Sequence, residues 1–177
     1  MSERLKLFVF AIMAIGMFMA LLDIQIVAAS LPEITSGLAA GADQGSWIQT
    51  SYLIAEIVMI PLSGLLSQAF STRWVFTASA AAFTVASVAC GFANSLETAI
   101  FFRAVQGFVG GAMIPTVFAT GYALFKGPKQ ALIPAILGMT STLAPVIGPS
   151  LGGWITDLAS WRWLFFINVV PGALVLF

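Results

Sequence analysis

The chain has 177 residues, of which 60% are hydrophobic and 8% charged, with seven basic and seven acidic side chains and no histidine. Soluble domains carry about a quarter charged residues, so this composition excludes a soluble globular protein and points to an integral membrane protein. Zero formal net charge argues against a basic nucleic-acid surface. No Gly-rich phosphate loop, no metal-spaced set of Cys, His or carboxylates and no nucleophile–base pair suggests a metal, a cofactor or an enzyme.

From the amino terminus, Arg4 and Lys6 precede an apolar run that opens at Leu7 and reaches about residue 30. Ala28-Ala29-Ser30 resembles a signal-peptide cleavage site, but the run is long enough to cross a bilayer and further apolar segments follow it. Spans are predicted at about 7–30, 47–70, 74–93, 98–124, 131–156 and 162–177, five of them complete and the sixth cut short by the chain end. The expected fold class is an all-α integral membrane bundle. Arg73, Lys126 and Lys129 share alternate loops with the amino terminus, whereas the loops at 31–46 and 94–97 hold Glu33, Asp43 and Glu97 without a basic residue. Positive residues stay inside, so the amino terminus is predicted to be cytoplasmic, with Arg162 in the last outer loop as the exception. The tryptophans fall at predicted interfaces, with Trp47, Trp154, Trp161 and Trp163 outside and Trp74 inside.

Three ionisable residues lie within spans: Asp23 in the first, Glu56 in the second and Arg103 in the fourth. A charge there costs about 2.5–3.5 kcal/mol on insertion scales, so such residues face a protein interior or a water-filled cavity. At about 100° per residue, Gln49, Tyr52, Glu56 and Ser63 share a sector of the second span, and Gln49, Tyr52 and Glu56 are candidates to line a substrate path. Gly16, Asp23 and Ser30 share a face of the first span. Gln25 points elsewhere and reads as a helix–helix hydrogen-bonding group. Two carboxylates against one guanidinium leave an acid without a full partner, and such an acid can carry a proton. The alternative is a static acid–arginine pair that only holds helices together.

Small residues form two ridges with a four-residue period. In the fourth span Arg103, Gly107, Gly111 and Pro115 recur, and in the fifth Thr140, Ala144, Gly148, Gly152 and Thr156. Such ridges let helix backbones approach closely, so Gly107, Gly111 and Ala144 are packing candidates, and Gly148→Leu is expected to be more damaging than Gly172→Leu. Pro145 and Pro149 each remove a backbone donor, which predicts a bent, buried fifth helix, either a tightly packed strut or a hinge beside a substrate path. Pro61-Leu62-Ser63-Gly64 and Pro149-Ser150-Leu151-Gly152 occupy similar places in oppositely directed spans, which suggests a 3+3 inverted repeat. Cys90, the single cysteine, reads as an inert packing residue.

These stretches together resemble the major facilitator superfamily and, within it, the drug:proton antiporters with fourteen helices, among which EmrB-type efflux permeases look most similar. The stretch 22–32, Leu-Asp-Ile-Gln-Ile-Val-Ala-Ala-Ser-Leu-Pro, resembles the first-helix motif Leu-Asp-x-Thr-Ile-Val-x-x-Ala-Leu-Pro, with Gln25 in place of threonine. Arg103-Ala104-Val105-Gln106-Gly107 is similar to the fourth-helix motif, and Gly148, Pro149, Gly152 and Gly153 match the antiporter motif Gly-Pro-x-x-Gly-Gly. The superfamily's loop motif between helices 2 and 3 is partly present over 64–73, where Gln68 replaces its acid and Ser71 and Thr72 replace its glycine and arginine.

The resemblance implies the amino-terminal bundle of a proton-coupled exporter of small amphipathic or apolar molecules in a bacterial inner membrane. It implies proton coupling at Asp23 and Arg103, with Glu56 added on helical position alone. It also implies a periplasmic adaptor and an outer-membrane channel as possible partners, and a chain longer than 177 residues. The competing expectation is a small structural or partner-binding membrane protein without transport activity.

Overall fold

The computed structural model describes residues 2–176, apart from the side chain of Ala42. It is all-helical. Helix α1 (Glu3–Ala29) starts at Ser2, whose hydroxyl accepts from the Leu5 amide, and a short α2 (Leu31–Gly37) with Pro32 in its first turn follows. Next come α3 (Ala42–Phe70), α4 (Thr72–Gly91) and α5 (Leu96–Gly110), the last opened by reciprocal capping between Ser95 and Thr98. They are followed by α6 (Met113–Leu124), a 3-10 turn (Gly127–Ala131), α7 (Leu132–Leu158), α8 (Trp163–Phe166) and α9 (Val169–Leu176). Five helical stretches among the described residues are long and apolar enough to cross a membrane, with α5 and α6 counted together as Leu96–Leu124. Phe177, the end of the expected sixth span, lies outside the described residues.

Two expected continuous helices are broken, each just ahead of a proline. The span predicted at 98–124 is interrupted at Gly111 and Ala112, where Pro115 offers no amide to the carbonyl of Gly111. Likewise Pro171 leaves the carbonyl of Ile167 without its helical donor, and α8 and α9 part at Ile167 and Asn168.

Lipid tails are as apolar as leucine, so close packing rather than solvent exclusion holds the helices together. The core has two main parts. One gathers Phe10, Met17, Ala20, Phe83, Met113 and Leu137 around the first two-thirds of α1, and the other gathers Ile26, Ile34, Ile48, Trp161, Leu164 and Phe165 at its far end.

The structure corrects several expectations. Helix α7 runs unbroken through Pro145 and Pro149 and is not buried all round: Ile133, Leu137, Ala144, Gly148 and Gly152 form a covered stripe, while Met139, Val146 and Trp154 are exposed. Trp161 is buried, packs edge-on against Phe165 and covers Gly37, so it is a core residue rather than an interface anchor. Gly172 abuts Thr84 closely enough to exclude a side chain, so it is no permissive control for Gly148. Gln25 lays its Cβ over Gly148, and its amide makes no hydrogen bond among the described residues.

Candidate functional site

Asp23 and Arg103, 80 positions apart, meet in the bundle interior and are almost completely buried. Arg103 Nη1 donates to Asp23 Oδ2 at 2.5 Å and to Gln106 Oε1 at 2.9 Å, and Nη2 donates to Gln49 Oε1 at 3.2 Å. The guanidinium lies over the Tyr52 ring, 4.1 Å from its centre. Buried charges persist where they are paired and their remaining lone pairs are satisfied, and Asp23 meets that condition. Its second oxygen, Oδ1, accepts from Asn168 Nδ2 at 2.6 Å and Gln106 Nε2 at 3.1 Å.

The network continues beyond the pair. Asn168 also donates to Ser87 Oγ at 2.9 Å, and Ser87 in turn donates to the Phe165 carbonyl at 2.8 Å. Cys90 contributes a weak donor to Gln106 Oε1 at 3.5 Å. Asp23 on α1 is thereby joined to α3 through Gln49, to α4 through Ser87, to α5 through Arg103 and Gln106, and to the α8–α9 break through Asn168. Gln106, Asn168 and Ser87 were not singled out as site residues from the sequence. Their one prior signal is for Gln106, which lies inside the Arg103–Gly107 motif.

Glycines make this convergence possible. A methyl group on Gly107 would strike the Tyr52 backbone, and one on Gly111 would strike the Glu56 backbone, so α5 lies directly against α3 at the level of the guanidinium. Tyr52 is fully buried and its hydroxyl has no hydrogen-bond partner among the described residues. Glu56, one turn on, is 8% exposed, and its Oε1 is equally unpartnered. Of the two acids, then, Asp23 holds the guanidinium and Glu56 is left without a cation among the described residues.

The residues of the fifth-span motif are split between two faces. Gly148 sits against Gln25 and Ile26, and Gly152 against Ser30 Oγ and the Ile26 carbonyl, so both bring α7 onto α1 beside the stretch that carries Asp23. Ala144 is buried on the same stripe. Pro149 and Gly153 face away from α1 and are exposed, with nothing within 4 Å of a Cβ placed on Gly153. Gly16, Asp23 and Ser30 are all buried, but they meet different neighbours: Phe76 and Met113 for Gly16, Arg103 for Asp23 and Gly152 for Ser30.

The sequence profile described as Major Facilitator Superfamily matches residues 13–177. A colistin resistance protein, EmrB, of Acinetobacter baumannii is 49% identical over 167 residues, which is 94% of this chain and 33% of that protein. The multidrug export protein EmrB of Escherichia coli K12 is 38% identical over 163 residues, 92% of this chain and 32% of that protein. The chain thus spans about a third of the length of these curated relatives. Among solved structures, the proton:xylose symporter XylE superimposes with a TM-score of 0.87 over 99% of this chain and 44% of that one, at 13% identity. That likeness concerns the fold.

Proposed function

The chain belongs to the Major Facilitator Superfamily and forms an integral membrane helical bundle, and from this premise we propose that it is the amino-terminal bundle of a proton-coupled multidrug efflux transporter. The names of the relatives, a colistin resistance protein and a multidrug export protein, support export of small amphipathic or apolar molecules. On this reading the amino terminus lies in the cytoplasm of a bacterial cell, the bundle lies in the inner membrane, and a periplasmic adaptor and outer-membrane channel receive the exported molecule.

One observation carries the proton-coupling part: a buried Asp23–Arg103 pair that is the meeting point of α1, α3, α4, α5 and the α8–α9 break. A proton on Asp23 cancels the charge that holds the guanidinium. Removing one partner of a buried pair costs about 3–5 kcal/mol, so protonation favours a rearrangement in which Arg103 finds other acceptors. Gln49 already touches it, and Glu56 stands one helical turn beyond Tyr52 with an unpartnered oxygen. Movement of α5 along the glycine ridge against α3 converts proton occupancy into a change of helix packing. Gln49, Tyr52 and Glu56 form the side of α3 along which substrate passes, with Glu56 available to a cationic substrate.

The test is efflux from everted vesicles under an imposed pH gradient, with expression of each variant checked. Placed in the full-length transporter, Asp23→Asn and Arg103→Ala are expected to abolish proton-driven efflux and to leave substrate binding largely intact. Wild-type rates in Asp23→Asn would refute its role as proton carrier. Wild-type rates in Asp23→Asn, Arg103→Ala and Glu56→Gln together would return these charges to a purely structural role.

A further inference from the structure

A second site lies at the opposite end of the bundle from Asp23, where α1 begins. A cavity of about 260 Å³ opens between α1 and the start of α7, with walls of Leu7, Phe10, Phe125, Leu132, Ile133 and Ile136. Glu3 and Lys129 also line it, and they are shared with an adjoining open basin lined in addition by Lys6 and Lys126. Glu3 bridges two of these cations, Lys6 at 2.9 Å and Lys129 at 2.7 Å. It lies ahead of the apolar run and, drawn down to about 2 by hydrogen bonds and charge from Lys129 and Lys6, it stays ionised at physiological pH. Lys126 lines the same basin, so three lysines surround it against one carboxylate. Lys126 forms no ion pair among the described residues.

We propose that this cavity and basin bind an anionic phospholipid, with an acyl chain in the apolar slot and the phosphate on Lys126 beside the Glu3–Lys129 pair. Charge complementarity selects the headgroup, because the excess positive charge at the rim attracts an anion at the membrane surface. The slot selects a lipid over a free phosphate ester, because it offers six apolar side chains and no polar one below the rim. Burying methylene groups of the chain against them adds dispersion contacts that a soluble anion cannot make.

The test is native mass spectrometry of the detergent-purified, delipidated protein titrated with phosphatidylglycerol or phosphatidylcholine. The assay does not depend on membrane sidedness or on transport, so its failure is separate from failure of the efflux reading. Phosphatidylglycerol is expected to bind more tightly. Lys126→Gln is expected to weaken it about fivefold, the effect of one basic residue at an anionic surface, without changing phosphatidylcholine binding. Leu132→Trp fills the slot without changing charge and is expected to lower phosphatidylglycerol binding as well. Arg73→Gln removes a basic residue that does not line the site and should leave binding intact. Equal loss in Arg73→Gln, displacement of the lipid by glycerol 3-phosphate at equal concentration, or wild-type binding in both site variants would overturn the proposal.

Discussion

Ser71 joins α3 to α4 with φ 68° and ψ 146°, a region of backbone space that side chains larger than hydrogen disfavour. The same position is the one where the superfamily's loop motif carries glycine, so the departure visible in the sequence has a conformational cost in the structure. Such a residue stores about 1–3 kcal/mol. Ser71→Gly is expected to stabilise the bundle by about 1 kcal/mol, seen as a higher midpoint of thermal unfolding in detergent, and a lowered midpoint would show that the serine is accommodated without strain. At this scale the candidate site was half legible. Asp23, Glu56 and Arg103 stood out because a charge inside a span is costly, and counting two acids against one base showed that one acid must go short. Asn168, Gln106 and Ser87 did not stand out, because uncharged polar side chains are tolerated in spans and nothing local tells which of them will meet a carboxylate 83 or 145 positions away.

Single helices show how a ridge of small residues becomes a contact. On α7, Gly148 and Gly152 lie against α1 and Ala144 is buried on the same stripe, while Gly138 on the same helix is exposed with nothing within 4 Å of its missing Cβ. Gly148→Leu is therefore expected to force α7 off α1 at Gln25 and to cost about 1–3 kcal/mol, whereas Gly138→Leu should be close to neutral. Folded yield and thermal stability of the two variants check this, and equal tolerance would mean that α1 and α7 do not pack through this stripe. The four-residue period revealed the ridge but not its partner, since period is a property of one helix and pairing of two. Prolines were harder to read. Pro145 and Pro149 leave α7 continuous, while Pro115 and Pro171 each coincide with a break. The difference lies in the surroundings: the α5–α6 break is locked by Gly111 against the Glu56 backbone, and the α8–α9 break by Asn168 on Asp23.

Across the whole molecule the two ends differ in charge and in what the charges do. Glu3, Lys6, Lys126 and Lys129 gather at one end, tied by the bridges from Glu3 to Lys6 and Lys129. At the other end Trp161 covers Gly37, and Arg162 donates to the carbonyls of Gly91 and Ala93, each at 2.7 Å, and to Asn94 Oδ1 at 3.1 Å. Arg162, the one basic residue that ran against the loop-charge pattern, is thus engaged in capping the carboxyl-terminal end of α4, a role that no charge count could reveal. Orientation follows the basic residues near span ends whatever they later bind, and Arg4, Lys6, Arg73, Lys126 and Lys129 in one set of loops outweigh Arg162 in the other. A reporter fused after Lys129 is therefore expected to be active only in its cytoplasmic form, and one fused after Asp43 only in its external form. Arg162→Gln should weaken α4 capping without altering either signal, since it removes a charge from the external end. Reversed signals would place Lys6, Lys126 and Lys129 outside, and with them the amino terminus, the loop-charge pattern and the cytoplasmic placement of the bundle would all have to be read the other way round.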